Sequence, residues 1–245
     1  MIIKGKRSVV EALQSPGQVD RIVVQYQVSK RKEIQSILQL ARRKHIKVQV
    51  VSSDEFDREF SSDTHTQGIC AYVRLLESIS LEDVYNQPQD FPVVVAVDHL
   101  QDPHNFGAII RSCECLGVNA ILYPKDRNCN ITPGVIKASS GAVNHIPLIK
   151  VTNIAQSLQH FKDNGYWIYG AAFEGAQSLH VVTPQAPLVL VVGNEEKGIS
   201  RRVLKMLDVV VKIPLRGKVQ SLNVSVATGI LVYDVLRKLD SSASC

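Results

Sequence analysis

Long apolar runs are missing from this 245-residue chain; none approaches the ~20 residues that a helix needs to cross a bilayer. Its first residues, Met1-Ile2-Ile3-Lys4-Gly5-Lys6-Arg7, are basic but lack the apolar segment that follows such residues in a secretory signal. A cytosolic protein is therefore expected. Aromatic residues are sparse at 6%, and the single tryptophan, Trp167, is expected in the core. The five cysteines, at 70, 113, 115, 129 and 245, form no C-x-x-C pair, so no metal site is expected. His99, His145, His160 and His180 show no metal-ligand spacing either. Cys113 and Cys115, two apart in a helical pattern, must point to different faces. Reduced, mostly buried thiols are the expectation.

Two phosphate-binding fingerprints are also missing. Gly193 to Ser200 reads G-x-x-x-x-G-I-S after a strand-like run, one residue away from the loop that cradles nucleoside triphosphates. Ile199 stands where that loop needs its lysine, and Glu195 and Glu196 would repel a triphosphate. No G-x-G-x-x-G follows any predicted strand, which removes the dinucleotide-binding fingerprint as well.

What is present is ordinary in bulk, with 45% hydrophobic and 21% charged residues, but unevenly charged. Up to Leu76 there are 13 Lys+Arg against 8 Asp+Glu, and beyond it 15 of each, so the formal charge of +5 sits in the first third. Lys30-Arg31-Lys32 and Arg42-Arg43-Lys44 flank one predicted helix over 30–44. An anionic polymer is the expected partner, with Lys30, Arg31, Arg42 and Arg43 as candidate RNA-binding residues.

Periodicity divides the chain. Residues 1–76 read as a small α/β unit, with strands at Arg21 to Tyr26 and Lys47 to Val51 and helices at Gly5 to Leu13, Lys30 to Lys44 and Ser53 to Phe60. Residues 77–91, with Pro88, read as a linker with one helical turn. From 92 to 245 a strand–helix alternation begins at the apolar run Val93 to Val97, with further strands near 120–123, 146–149, 166–171, 188–192 and 209–213. Helices are predicted near 104–116, 133–139, 153–163, 200–206 and 223–239, and the Ser241 to Cys245 tail reads as disordered. Such alternation predicts a mostly parallel sheet covered on both faces.

Ligands of open α/β sheets collect at the carboxyl ends of strands. Three loops of that kind are polar here: Asp98 to Gly107 leading to Arg111, Gly193 to Gly198, and Arg216-Gly217-Lys218 with Ser221-Leu222-Asn223. In this order they resemble the three motifs of the SpoU (TrmH-type) RNA ribose 2′-O-methyltransferases of the SPOUT superfamily. The matching stretches are Asp102 to Ser112, Leu190 to Ser200 and Ile213 to Ala227, with Pro124 to Arg127 and Lys137 to Ala142 between them. Gly5 through Leu13 and Gln67-Gly68-Ile69 are similar to the ribosomal-protein-L30e-like substrate-binding domain of the RlmB-type branch, the 23S rRNA guanosine 2′-O-methyltransferases. Thr66, where that branch has His, and Asn194-Glu195-Glu196-Lys197, where it more often has Ala-Glu-Gly-Glu, are departures that loosen the substrate assignment.

The resemblance implies an α/β fold in which a SPOUT-type parallel-sheet domain, tied in a C-terminal trefoil knot, follows a small L30e-like domain. It implies S-adenosyl-L-methionine as cofactor, held at Gly193, Ile213, Leu215 and Leu222, and a homodimer formed through the knotted domain. It also implies a catalytic set of Asn105, Arg111, Glu195, Ser221 and Asn223. Arg111 would orient the ribose or its 3′-phosphate, or accept the hydroxyl proton, although a guanidinium stays protonated in nearly every protein setting. Glu195 is the competing base, or the partner that positions Arg111 or the backbone. Lys125, Asp126 and Arg127 are candidates for the RNA side of the cleft. Singly, each residue has a commoner role: Asn105 and Ser221 as helix caps, Asn223 in a turn, Arg111 and Glu195 as solvated charges, Leu222 as core. Methylation of tRNA or of another rRNA site, and a non-catalytic RNA-binding assembly factor, are the competing expectations.

Overall fold

The computed structural model describes residues 2–14, 18–60, 66–74, 79–85, 93–172 and 176–243. The chain forms two compact units, Met1–Leu75 and Leu76–Cys245. In the first, β1 (Ile2–Lys4), α1 (Lys6–Gln14), β2 (Gln18–Gln25), α2 (Tyr26–Ser29), α3 (Lys32–Arg43), β3 (Lys47–Val51), α4 (Ser53–Phe60) and β4 (Ile69–Arg74) follow in order. The sheet runs β1-β4-β2-β3, with β2 and β3 parallel and the other pairs antiparallel. The predicted helix over 30–44 is broken: Tyr26–Ser29 makes one short turn, Lys30 and Arg31 separate the two, and α3 begins at Lys32. α3 buries Ile34, Ile37, Leu38 and Ala41, the i, i+3, i+4, i+7 pattern of a helix lying on a sheet. Before α4, Ser52 and Glu55 bond each other's backbone N–H groups at 3.3 and 3.0 Å, a capping box. Phe56 and Phe60 then pack with ring centroids 4.7 Å apart under the sheet.

The second unit comprises α5 (Leu81–Tyr85), β5 (Val93–Val97), α6 (Pro103–Leu116), β6 (Ala120–Pro124), α7 (Pro133–Ala138), β7 (Leu148–Val151), α8 (Ile154–Asp163), β8 (Trp167–Ala171), β9 (Gln177–Ser178), β10 (Leu188–Val192), α9 (Arg201–Leu204), β11 (Val209–Lys212) and α10 (Val224–Ala243). Its seven strands run β7-β6-β5-β10-β8-β11-β9, and every pair is parallel. All five residues of β5 and of β10 are buried, as unbroken apolar runs must be where helices cover both faces. These two strands are neighbours, in register from Leu188 against Val93 to Val192 against Val97. Their carboxyl ends therefore release the first two polar loops side by side.

Two expectations need correction. Trp167 is 41% exposed, because it opens β8 at the strand's amino end rather than facing the core. Ser241, Ser242 and Ala243 continue α10 instead of fraying from it. Ser244 and Cys245 lie outside the described residues, as do 77, 78 and 86–91 of the expected linker and His65. Among the described residues no helix is long and apolar enough to cross a membrane.

Candidate functional site

Each site residue is placed by a local rule. Asp102 caps α6, its carboxylate accepting from His104 N at 2.9 Å, and Pro103 occupies the first helical turn, where a missing N–H costs nothing. Asn105 is thus in the first turn of α6 and is not its cap. Arg111 lies six residues on, exposed. The second loop folds on itself: Asn194 and Gly198 pair through both backbone bonds, at 3.0 and 2.9 Å. A Cβ on Gly193 would lie 2.2 Å from the Gly198 carbonyl carbon, so glycine is dictated there by the loop's own closure. The third loop, 213–223, has no regular structure and leads into α10.

Side chains then join the three loops. Asn223 Nδ2 donates to Asn105 Oδ1 at 2.9 Å, and Asn105 Nδ2 donates to Glu195 Oε1 at 2.9 Å. Glu195 Oε2 accepts from Asn194 Nδ2 at 3.2 Å, and the same amide donates to the His99 carbonyl at 3.0 Å. Asn223 Oδ1 in turn accepts from Ser225 N and Ser225 Oγ, at 2.9 and 2.6 Å, which fixes its amide orientation at the start of α10. Residues 90 and 118 positions apart are thereby held in one hydrogen-bonded chain.

The expected set is brought together only in part. Asn105, Glu195 and Asn223 form the chain; Arg111 does not enter it, its Nη1 donating instead to Ser140 Oγ at 3.1 Å. Glu195, expected to position Arg111 or the backbone, has Asn105 and Asn194 as its partners. Ser221 is exposed on the third loop. Of the apolar candidates, Gly193 is buried, Ile213 and Leu215 are half-buried and Leu222 is exposed. The cations of the first unit divide between the two ends of α3: Lys30 and Arg31 precede it, and Arg42 and Arg43 close it. Lys30 Nζ lies 5.5 Å from the ring centroid of Tyr26, itself 58% exposed.

Sequence reasoning assigned no role to Asp98, although it leads the first loop. Its side chain is 1% exposed; Oδ2 accepts from Ser200 N at 2.7 Å and Oδ1 meets His99 Nδ1 at 2.5 Å. This carboxylate pins the far end of the second loop to the first. A charged residue ending an all-apolar strand was the available signal, since a buried carboxylate needs partners. Among the described residues no group of three or more His, Cys, Asp or Glu could hold a metal ion.

The chain also has recognisable relatives. Residues 92–233 match the SpoU rRNA Methylase family, and residues 2–78 match the domain described as RNA 2′-O ribose methyltransferase substrate binding. A Staphylococcus saprophyticus protein assigned to the TrmH family of tRNA/rRNA methyltransferases is 38% identical over 241 residues, which are 97% of this chain and 96% of that one. The crystal structure of the SpoU methyltransferase AviRb from Streptomyces viridochromogenes, in complex with the cofactor AdoMet, superposes with a TM-score of 0.66 at 20% identity, covering 98% of this chain and 91% of that one. At that identity the likeness is one of fold. The A. aeolicus TrmH/SpoU tRNA modifying enzyme is 34% identical with a TM-score of 0.56, covering 66% of this chain and 82% of that one.

Proposed function

Because the chain belongs to the SpoU rRNA methylase family, and so to the RNA methyltransferases of TrmH/SpoU type, we propose that it methylates a ribose 2′-oxygen, with a guanosine of 23S rRNA as the target. S-adenosylmethionine is the methyl donor. The observation that carries this reading is the Asn223–Asn105–Glu195 chain, which ties the family's three motifs into one polar cluster at the carboxyl ends of β5 and β10.

The cofactor supplies an electrophilic methyl group; the residues of this chain supply orientation and a route for one proton. The 2′-oxygen forms its bond to the methyl carbon as the carbon–sulfur bond breaks, and the hydroxyl proton must leave. Within the hydrogen-bonded chain Glu195 is the group able to take it. Arg111, permanently charged, serves the phosphate next to that ribose. Ser221 and Asn223 would shape the nucleotide side of the site, and Ile213, Leu215 and Leu222 would hold the adenosine of the bound cofactor. Gly193 acts indirectly, by letting the second loop close.

The first unit is the RNA-binding domain of this reading, residues 1–76, joined through 77–91 to the methyltransferase domain, 92–245. The protein is taken to act in the cytoplasm as a homodimer. Support for the dimer is a stripe on α10, where Val226, Ile230 and Tyr233, at i, i+4 and i+7, are 51%, 39% and 60% exposed. The C-terminal trefoil knot belongs to the same reading; its support is the return of α10 after β11 onto α6.

The A. aeolicus likeness favours tRNA as the second substrate class. Incubation with labelled S-adenosylmethionine and unmodified 23S rRNA or tRNA, followed by mapping of 2′-O-methyl groups, decides. Label at one guanosine of 23S rRNA is expected; label in tRNA alone overturns the target while keeping the chemistry. No label in either RNA or on ribosomal precursors, with cofactor bound, overturns the enzyme in favour of an RNA-binding assembly factor.

A further inference from the structure

The geometry points to Ser140, in the turn after α7, as the positioning residue for the Arg111 guanidinium. This rests on the role given to Arg111 above.

Ser140 holds a backbone conformation that serine disfavours. Its φ is +52°, in the left-handed region that glycine enters without the steric cost of a Cβ. Gly141, with φ +89°, follows it directly, so two successive residues turn left-handed and only the second is glycine. The serine hydroxyl is what glycine would lack. That hydroxyl accepts from Arg111 Nη1 at 3.1 Å.

The turn is not free to drift away from Arg111. α7 starts on a Thr132 cap and ends at Ala138, and the buried Ser139 closes it by donating Oγ–H to the Ile136 carbonyl at 2.9 Å. The helix lies so close to α6 that a Cβ on Gly107 would meet Ala138 Cβ at 2.5 Å, Val135 O at 2.8 Å and Ser139 N at 2.9 Å. Gly107 is one helical turn before Arg111 on α6. The glycine contact therefore fixes α6 against α7, and the turn that follows α7 presents Ser140 beside the arginine. Arg111 itself is exposed and long, with rotamer freedom to lose on gripping a phosphate. A hydroxyl that restrains one guanidinium nitrogen beforehand reduces that loss and aims the remaining donors.

The test compares full-length wild type with Ser140→Gly, Ser140→Asn and Arg111→Ala, using labelled S-adenosylmethionine and 23S rRNA or tRNA, whichever accepts methyl. Ser140→Gly relieves the backbone, so its melting temperature should equal or exceed that of wild type, with cofactor affinity unchanged. Its kcat should nevertheless fall about tenfold, the size of one lost charge-assisted hydrogen bond. Asparagine tolerates the left-handed region and brings a side-chain carbonyl, so Ser140→Asn should recover to within about threefold of wild type. Wild-type kcat in Ser140→Gly, with Arg111→Ala inactive, overturns the positioning role alone. Full activity in Arg111→Ala overturns the assignment of Arg111 on which it rests. A second readout needs no turnover: NMR order parameters of the Arg111 side chain should drop in Ser140→Gly, and unchanged order overturns the proposal.

Discussion

At the residue scale, burial and close approach decide more than residue type does. Cys113 and Cys115, two apart on α6, are buried and exposed respectively, and burial pushes the Cys113 thiol far up. Burial, with the Asp102 charge adding to it, also raises the Cys129 thiol. Among the described cysteines, alkylation of the native protein near pH 8 should therefore label Cys115 first, Cys129 more slowly and Cys113 only after unfolding. Mass spectrometry of timed samples reads the order; early loss of Cys113 would contradict its burial. Asp98 offers a second prediction. Asp98→Ala leaves the Ser200 N–H without its acceptor and should cost about 1–3 kcal/mol of stability, read from urea unfolding. Cofactor affinity should fall with it, because the second loop loses its anchor.

Within an element, the position of a charge along a helix separates two clusters that look alike in sequence. Arg42 and Arg43 stand in the last turn of α3, where the helix dipole favours cations. Arg31 is its N-cap, where the dipole disfavours a cation, and Lys30 is the C-cap of the four-residue α2. Arg31 therefore lacks the conformational explanation available to Arg42 and Arg43. Replacing Lys30 and Arg31 with Gln should weaken RNA binding and reduce its salt dependence, with stability unchanged or slightly higher. Replacing Arg42 and Arg43 should cost about 0.3–1 kcal/mol each in stability, with the smaller effect on RNA. Filter binding across a salt series, beside thermal melts, distinguishes the two; an equal RNA effect would return all four cations to one surface.

The far end of α10 follows a similar argument. Lys238 Nζ donates to the Leu179 carbonyl and, at 2.9 Å, to the Val182 carbonyl, and pairs with Asp234 at 2.8 Å. Burial alone would push the Asp234 carboxyl up, but hydrogen bonds from Lys238 and Arg237 outweigh it and hold the group below its ordinary value. A lowered folded pKa gives stability that is complete at neutral pH and is lost as pH falls through that lowered value. Lys238→Met should lower stability at pH 7 and flatten this acid limb in denaturant titrations; an unchanged limb would assign it to other carboxylates.

For the whole molecule, the sequence by itself determined the division into two units, the parallel order of the second and the polar loops at its strand ends. Apolar runs such as Val93–Val97 and Leu188–Val192, capped helices such as α6 and α8, and the charge surplus before Leu76 are local signals that require no partner to be read. The dimer prediction belongs to this scale too: Ile230→Asp together with Tyr233→Asp on the α10 stripe should convert a dimer in analytical ultracentrifugation to a 27.1 kDa monomer. A wild-type monomer would remove the stripe's assigned occupant. Only the tertiary structure decided the rest. β1 and β4, too short or too weakly alternating to be recognised alone, exist because each pairs with the other and β4 also with β2. Two-residue β9 exists only as the edge partner of β11. Glu195, expected as the competing base or as the partner that positions Arg111 or the backbone, bonds Asn105, while Arg111 bonds Ser140. Local propensity and burial patterns are properties of a short stretch of chain, whereas hydrogen bonds between loops 90 or 118 residues apart depend on where folded strands end.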